Sequence, residues 1–297
     1  MNKTLFIGSV VLDMIIHVDH LPKLKEDINT TNIKFSIGGC GYNASSIVRH
    51  FHLPAICSSP IGTGRFANIL NDLLTAKNYH PLIKIEEEDN GCCLCLVNSS
   101  GERTFLCQHG AEYRFKKIWM KDIQKEELDY IYVCGLELEE KDGDEILDYL
   151  EEMQVPVFFA PGARIMNIPE ERMRRILSLH PIIHLNEDEV TAYTGCETIS
   201  HAALRLYEKS KELVIVTCGE RGAYYTEGST GKLIAGYKNK VKDTIGAGDA
   251  HAGACIAGLK MGMKVEDIVK MANKVSAKVV GVEGSELSEE EFNKISL

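Results

Sequence analysis

The sequence predicts an α/β fold, with a mostly parallel central sheet, helices on both faces and a small β lid at the sheet edge. Three observations carry this reading. After Trp119, short apolar runs alternate with helical stretches, the pattern of a sheet buried on both faces. Between Leu82 and Gln108 the texture changes to short β-prone segments around the turn Asn98-Ser99-Ser100-Gly101, with no helix between them. Glycine-rich turns at Gly38-Gly39 and Gly246-Ala247-Gly248 each stand at the opening of a helical stretch.

In chain order, Leu5 to Val11 reads as a buried strand, and Ile15 to Val18 and Asn32 to Phe35 as short strands. A helix is expected from about Tyr42 to Phe51, a strand over Ala55 to Ser59 and a helix over Arg65 to Lys77. Cys92 to Val97 and Thr104 to Cys107 form the expected hairpin. The alternation then runs Tyr130 to Cys134 (strand), Asp142 to Met153 (helix), Val157 to Ala160 (strand), Pro169 to Leu177 (helix), Ile182 to Leu185 (strand), Glu187 to Thr194 (helix) and Leu213 to Thr217 (strand). A hairpin around Tyr224 to Ile234 follows. Two long helices, about Asp249 to Met261 and Val265 to Val280, close the chain.

With 297 residues, 44% of them hydrophobic, the chain suits one large α/β domain or two small ones with an ample core. A net charge of -10 argues against a nucleic-acid partner, which calls for a basic patch. No stretch approaches the roughly 20 apolar residues of a membrane span. Asp13 interrupts the first apolar run, and no small-residue cleavage site follows it. The ten cysteines lie mostly in apolar runs. Cys92 and Cys95 have no second pair or nearby histidine to complete a zinc site. Free buried thiols fit a reducing, cytoplasmic compartment.

The most informative stretch is Asp243-Thr244-Ile245-Gly246-Ala247-Gly248-Asp249-Ala250. Small residues let backbone approach a phosphate, and a helix start aims free N–H groups and a positive dipole end at an anion. A carboxylate in the same turn is placed to take a proton from an attacking hydroxyl. Anion cradle and base together equip a site for phosphoryl transfer to an alcohol. The bland alternative is a plain turn. Two other motifs fail: a dinucleotide fingerprint needs glycine where His251 stands, and the Gly228 to Leu233 segment has the wrong spacing and no hydroxyl for a Walker A loop.

Further features fall where open α/β sheets bind ligands, at the strand C-termini. Gly38-Gly39-Cys40-Gly41-Tyr42-Asn43 permits close approach of a substrate, with Asn43 offering donor and acceptor; a Gly-rich turn is the alternative. Asp13, just past the first strand, is a candidate grip on neighbouring hydroxyls, or a turn residue. Asn186-Glu187-Asp188-Glu189 suits a hydrated Mg²⁺ and equally a capping box. Thr217-Cys218-Gly219-Glu220-Arg221-Gly222 offers a hydroxyl and flexible backbone to a nucleotide phosphate, or a β-turn.

Taken together and in order, these residues resemble the ribokinase-like, PfkB family of carbohydrate and nucleoside kinases. The resemblance covers nearly the whole chain and implies a single three-layer domain over residues 1–297, with the β lid formed by about 12–36 and 82–108. It implies that Asp249 is the catalytic base and that backbone N–H groups of Gly246, Ala247 and Gly248 form the anion hole. Asp13, Gly38, Gly39 and Asn43 are implied to hold the sugar, joined by Glu137 in Gly135-Leu136-Glu137. Asn186 and Glu189 are implied to organise Mg²⁺ and its waters. Thr217, Gly219 and Gly222 are implied to line the ATP site, with Asn273 near the adenine. Asp243, the Ile245 carbonyl and the Gly284 loop are implied to hold a monovalent cation such as K⁺.

The chain departs from the family pattern at three places. His251 stands where phenylalanine is common, Gly62-Thr63-Gly64-Arg65 lacks an aspartate after its first glycine, and Ala160-Pro161-Gly162-Ala163-Arg164 only loosely matches Asp-Pro-Asn-x-Arg. The expected reaction is ATP-dependent phosphorylation of a hydroxymethyl group on a small ribose- or fructose-like sugar. A nucleoside kinase is the alternative within the same chemistry. Arg103, on the hairpin, raises an anionic sugar as a third acceptor, although a solvated surface charge is the favoured reading of that residue. A non-catalytic sugar or nucleotide sensor is the rival class. The resemblance also implies a homodimer through the lid.

Overall fold

The computed structural model describes residues 2–296. Strands β1 (Lys3–Ile7), β2 (Val11–His17) and β3 (Asn32–Gly38) precede helix α1 (Cys40–His50). Then come β4 (Ala55–Cys57), β5 (Ile61–Thr63), α2 (Gly64–Ala76), β6 (Lys84–Asp89), β7 (Cys92–Val97) and β8 (Arg103–Gln108). The alternating half comprises β9 (Leu128–Cys134), α3 (Gly135–Glu139), α4 (Gly143–Met153), β10 (Val157–Ala160), α5 (Glu170–Ser178), β11 (Ile182–Asn186), α6 (Glu187–Thr194), α7 (Ile199–Ser210) and β12 (Val214–Thr217). The hairpin β13 (Gly222–Glu227) and β14 (Thr230–Ala235) leads to α8 (Ala247–Lys260), α9 (Val265–Val279) and α10 (Glu289–Asn293).

The main sheet has the order β14-β13-β12-β11-β10-β9-β1-β4. It is parallel from β4 to β12, with an antiparallel hairpin at the far edge. Successive side chains point to opposite faces, and both faces are apolar. Phe6, Tyr132, Phe158 and Ile215 pack against α1, α8 and α9. Leu5, Ile7, Ile131, Val133, Phe159, Val214 and Val216 pack against α4, α5, α6 and α7. The result is the helix–sheet–helix sandwich expected from the alternation.

A second sheet, β3-β2-β7-β8, stands apart from the first. Its register aligns Ser36, Asp13, Cys93 and Cys107 in one row, and Phe35, Met14, Leu94 and Leu106 in the next. Adjacent rows face opposite ways. Ile15, Cys95 and Val97 pack against Ile245, so the face bearing Asp13 looks toward the loop that precedes α8.

Several expectations need correction. The run Leu5 to Val11 is not one strand: β1 ends at Ile7 and the chain passes into the other sheet, so Asp13 lies within β2 rather than just past the first strand. Hydrophobicity alone does not mark that crossing, because both strands are apolar. Residues 84–89, placed in the expected lid, instead pair with β5 in a small two-stranded sheet; their run of acids carries no apolar alternation. Helix α7 lies outside the expected elements, although Thr198 caps it by accepting from the His201 N–H. The two long helices do not close the chain, since α10 follows with a Ser288/Glu291 capping box.

Candidate active site

The site is built where α1 and α8 cross. A side chain at Gly253 would strike the Ala44 carbonyl, so glycine there lets the two helices approach closely. Asn43 precedes Ala44, and Asp249 lies one turn before Gly253. The crossing therefore brings Asn43 Nδ2 to 2.9 Å from Asp249 Oδ2. Ser285 Oγ donates to Asn43 Oδ1 at 2.8 Å, which orients the amide with its NH₂ toward the base. Burial raises the Asp249 carboxyl to about 6, opposed by the Asn43 hydrogen bond.

Gly246 is the N-cap of α8 with φ 72°, and a Cβ there would press on Ser285. Both facts require glycine. Ala247 N–H bends back to the Thr244 carbonyl at 3.3 Å. Gly248 has open space above it, on the exposed side of a 14-residue helix whose first N–H groups have no partner within the helix. Gly246, Ala247, Gly248 and Asp249 thus share one turn, as their spacing predicts.

Three further carboxyl groups gather here. Asp13 is raised to about 7 by burial, opposed by the Cys93 thiol and aided by the Asp249 charge. A Cβ at Gly38 would collide with the Asp13 carboxylate, and one at Gly39, where φ is 94°, would collide with the Ser9 carbonyl. Glu137, on α3 just after β9, is 5% exposed, and both its carboxylate oxygens lack a partner. Burial raises it to about 7. Glu189 is raised by burial, and the Asp249 charge adds to the rise. Buried carboxylates without cationic partners are costly unless a ligand satisfies them.

Asn186 and Glu189 form a full capping box on α6. Asn186 Oδ1 accepts from Glu189 N–H at 2.8 Å, and Glu189 accepts from the Asn186 backbone and side-chain N–H groups at 2.9 and 2.8 Å. Both readings of this tetrapeptide are compatible, because each carboxylate oxygen keeps a lone pair. The residues fit a Mg²⁺ held through its waters better than one bound directly. Thr217 lies beside Asn186 in the parallel register, at the C-terminal ends of β12 and β11. Gly219 is exposed, and Gly222 is buried at the start of β13.

Asp243 is a buried carboxylate. It is 3% exposed. It accepts from Ile245 N–H and Gly284 N–H, each at 2.8 Å. Arg103 Nη1 lies 2.6 Å from Asp243 Oδ1. The reading of Arg103 as a solvated charge is therefore corrected. The register places it on the inward face of the second sheet, where a buried carboxylate is its partner. Asp243, Ile245 and Gly284 do come together, but the groups facing the carboxylate are N–H donors and a guanidinium. A monovalent cation there would share that carboxylate with Arg103.

Asn273 is buried with both ends engaged: its NH₂ donates to the Ile234 and Ala235 carbonyls at 3.1 and 3.2 Å, and Oδ1 faces His251 Nε2 at 3.1 Å. Its amide thus reaches the β14 edge through the backbone. The accepting Oδ1 makes His251 Nε2 the protonated nitrogen, so Nδ1 accepts from His184 Nε2 at 2.9 Å. Burial depresses both imidazoles, His251 to about 4, which keeps them neutral. This chain of polar groups fills the space where a phenylalanine is common. Sequence reasoning missed Ser285 and Ser9. Ser285 is 242 residues from Asn43, and no local pattern marks it. The Ser9 hydroxyl is buried and unpartnered beside Gly39.

Residues 1–291 match the pfkB family of carbohydrate kinases. The chain is 31% identical over 290 residues to an uncharacterized sugar kinase, YegV, of Escherichia coli, covering 96% of this chain and 90% of that protein. It is 24% identical over 281 residues to a ribokinase of Bacillus subtilis, covering 93% and 92%. The crystal structure of a ribokinase from Thermotoga maritima superposes with a TM-score of 0.85 at 21% identity, covering 99% of each chain. The chain belongs to the pfkB family of carbohydrate kinases and has the ribokinase-like fold. Its class of activity is phosphoryl transfer to a carbohydrate. No helix among the described residues is long and apolar enough to cross a membrane.

Proposed function

We propose that this protein transfers the γ-phosphoryl group of ATP, in line, to a hydroxymethyl group of a small neutral sugar, with Asp249 as base. The observation that carries the reading is the half-buried Asp249 carboxylate, raised to about 6 and aimed by Asn43, one residue from the open space above Gly248. A base with that acidity is mostly ionised near neutral pH yet basic enough to take an alcohol proton in the transition state. The N–H groups of Gly246 and Gly248, that of Ala247 once it exchanges its long bond to the Thr244 carbonyl for the phosphoryl oxygen, and the α8 dipole offset charge on the equatorial oxygens of the transferring group.

Asp13 and Glu137 are the groups proposed to grip acceptor hydroxyls, alongside backbone at Gly38 and Gly39. Ionised, each accepts two or more hydroxyl donors, and Glu137 has no protein partner to give up. Thr217, Gly219 and Gly222, beside Asn186, border the proposed nucleotide phosphates. Asn186 and Glu189 would hold a Mg²⁺ through its waters, and the ion would supply positive charge to the nucleotide phosphates. The second sheet acts as a lid whose inner face covers the acceptor and excludes water. Its outer row of Phe35, Met14, Leu94 and Leu106 leaves Phe35 and Leu106 exposed, an apolar face suited to a second copy of the chain.

Arg103 favours a neutral acceptor. Its Nη1 is paired with the buried Asp243 carboxylate, which offsets the guanidinium charge and weakens its pull on an anionic sugar. A nucleoside acceptor stands as the second reading, since a nucleoside also carries a hydroxymethyl group. The test is ATP turnover across a panel of neutral sugars, sugar acids, sugar phosphates and nucleosides, each with and without K⁺. Turnover confined to neutral sugars supports the proposal. Turnover confined to nucleosides or anionic sugars replaces it, and tight binding with no product anywhere indicates a sensor.

A further inference from the structure

All ten cysteines are free, and two of them meet in the roof of the site. Cys93 and Cys107 are directly opposite in the antiparallel pair β7–β8, with their sulfurs 3.4 Å apart. Directly opposite residues on antiparallel strands have Cα atoms about 4.5–5.5 Å apart, inside the range a disulfide spans. Cys107 is exposed and Cys93 is half-buried. The same row continues through Asp13, opposite Cys93 on β2. The pair therefore borders the carboxylate that faces Asp249.

We propose that Cys93 and Cys107 form a redox-modification site that a peroxide closes to a disulfide, weakening the grip of the neighbouring Asp13 on the acceptor. The thiolate of Cys107, the sulfur that solvent reaches, attacks one peroxide oxygen. The S–O bond forms, the O–O bond breaks, and the hydroxide released takes up a proton as water. The Cys93 thiol then loses its proton, for which the Asp13 carboxylate is an adjacent acceptor. Its sulfur attacks Cys107, the S–S bond forms, and the hydroxyl leaves with that proton as a second water. The sum is two thiols and one peroxide giving one disulfide and two waters.

The order of attack follows from the environments. Burial and the Asp13 charge hold the Cys93 thiol protonated, so it is the resolving sulfur rather than the first nucleophile. The effect on the acceptor also has a physical cause. The Cys93 thiol hydrogen bond opposes the burial that raises Asp13. A disulfide sulfur has no proton to give, so Asp13 becomes harder to ionise and accepts fewer hydroxyl bonds. In a reducing compartment such a bond is transient, which suits a sensor better than a staple. The consequence for the acceptor rests on the kinase reading above; the cross-link itself does not.

The experiment treats the native, ligand-free protein with hydrogen peroxide, alkylates remaining thiols under denaturing conditions and maps the peptides by mass. A Cys93–Cys107 linked peptide that dithiothreitol abolishes is expected, and Cys107→Ser should remove it. A second close pair, Cys40 and Cys134 with sulfurs 3.1 Å apart, serves as an internal comparison. Recovery of Cys93 and Cys107 as separately alkylated or singly oxidised residues overturns the proposal, as does a linkage only between Cys40 and Cys134. On whichever acceptor the panel identifies, the oxidised protein should show a KM about tenfold higher, restored by dithiothreitol. A disulfide that leaves acceptor KM within about twofold overturns the coupling to Asp13. Failure of every acceptor to turn over bears on the kinase reading and leaves the peptide map to decide this one.

Discussion

Arg103 and Asp243 join the two sheets' territories through one buried ion pair, Nη1 to Oδ1 at 2.6 Å. Arg103 begins β8 of the second sheet, and Asp243 opens the loop that delivers Gly246 to Asp249. Asp243 also anchors the Ile245 and Gly284 backbones, so one carboxylate ties three segments together. Arg103→Ala should leave that carboxylate without its cation. We expect a loss of about 1–3 kcal/mol in urea unfolding, reduced from a fully buried pair because Arg103 is partly exposed. Arg103→Lys should recover part of it. Unchanged stability in both variants would mean that the pair contributes nothing.

Asp249→Asn keeps the shape and removes the base. Under the proposed mechanism kcat drops by about 10³-fold, while thermal stability holds or rises, because a buried carboxylate has been replaced by a neutral group. Turnover close to that of the unaltered enzyme would remove Asp249 from the mechanism.

Activity should fall on the acid side. The base works ionised, and burial raises its carboxyl to about 6. As pH drops through 7 and then 6, Asp13 and Glu137, proposed to act ionised, and then Asp249 become protonated, so kcat/KM declines by at least about tenfold per unit below pH 6. A profile flat down to pH 5 would contradict this.

Stability of the ligand-free protein should run the opposite way. Asp13 and Glu137 are raised to about 7 in the folded chain, above their ordinary values. Folding then favours their protonated forms, so this contribution is fully present below about pH 4. It is lost as pH rises through 7. The melting temperature should be a few degrees lower at pH 8 than at pH 5.5, and Glu137→Gln should flatten the difference. Calorimetry on both proteins checks this; parallel curves would reject it.

His251→Phe restores the residue common in the family and breaks the chain His184–His251–Asn273. His184 Nε2 and Asn273 Oδ1 lose their shared partner, at a cost of about 1–3 kcal/mol for each unpaired buried group, partly offset by the added apolar burial. A net loss of stability is expected in denaturant unfolding. A gain would mean that the pocket accepts the larger ring by rearranging its polar neighbours.

Much of the fold was legible because two periodicities are local. Strands β10 and β12 and helix α6 fall within a residue of their expected bounds, since apolar run, cap and turn all lie within a few positions of each other. The glycine turn before α8 was legible for the same reason. The crossing from β1 to β2 was not, because apolar residues on both sides give no sign that the chain has changed sheets. Helix α7 lies outside the expected elements although its Thr198 cap is a signal readable in the sequence.

By itself the sequence determined the α/β layering, the order of candidate residues and the turn that opens α8, all consequences of short-range backbone preferences and hydrophobic spacing. Only the tertiary structure decided which groups meet. Ser285 orients Asn43 from 242 residues away, Gly253 lets α8 approach α1 near Asp249, and Arg103 turns inward to Asp243. Those pairings follow from sheet register and helix crossing, which bring together positions whose separation along the chain carries no record of the contact.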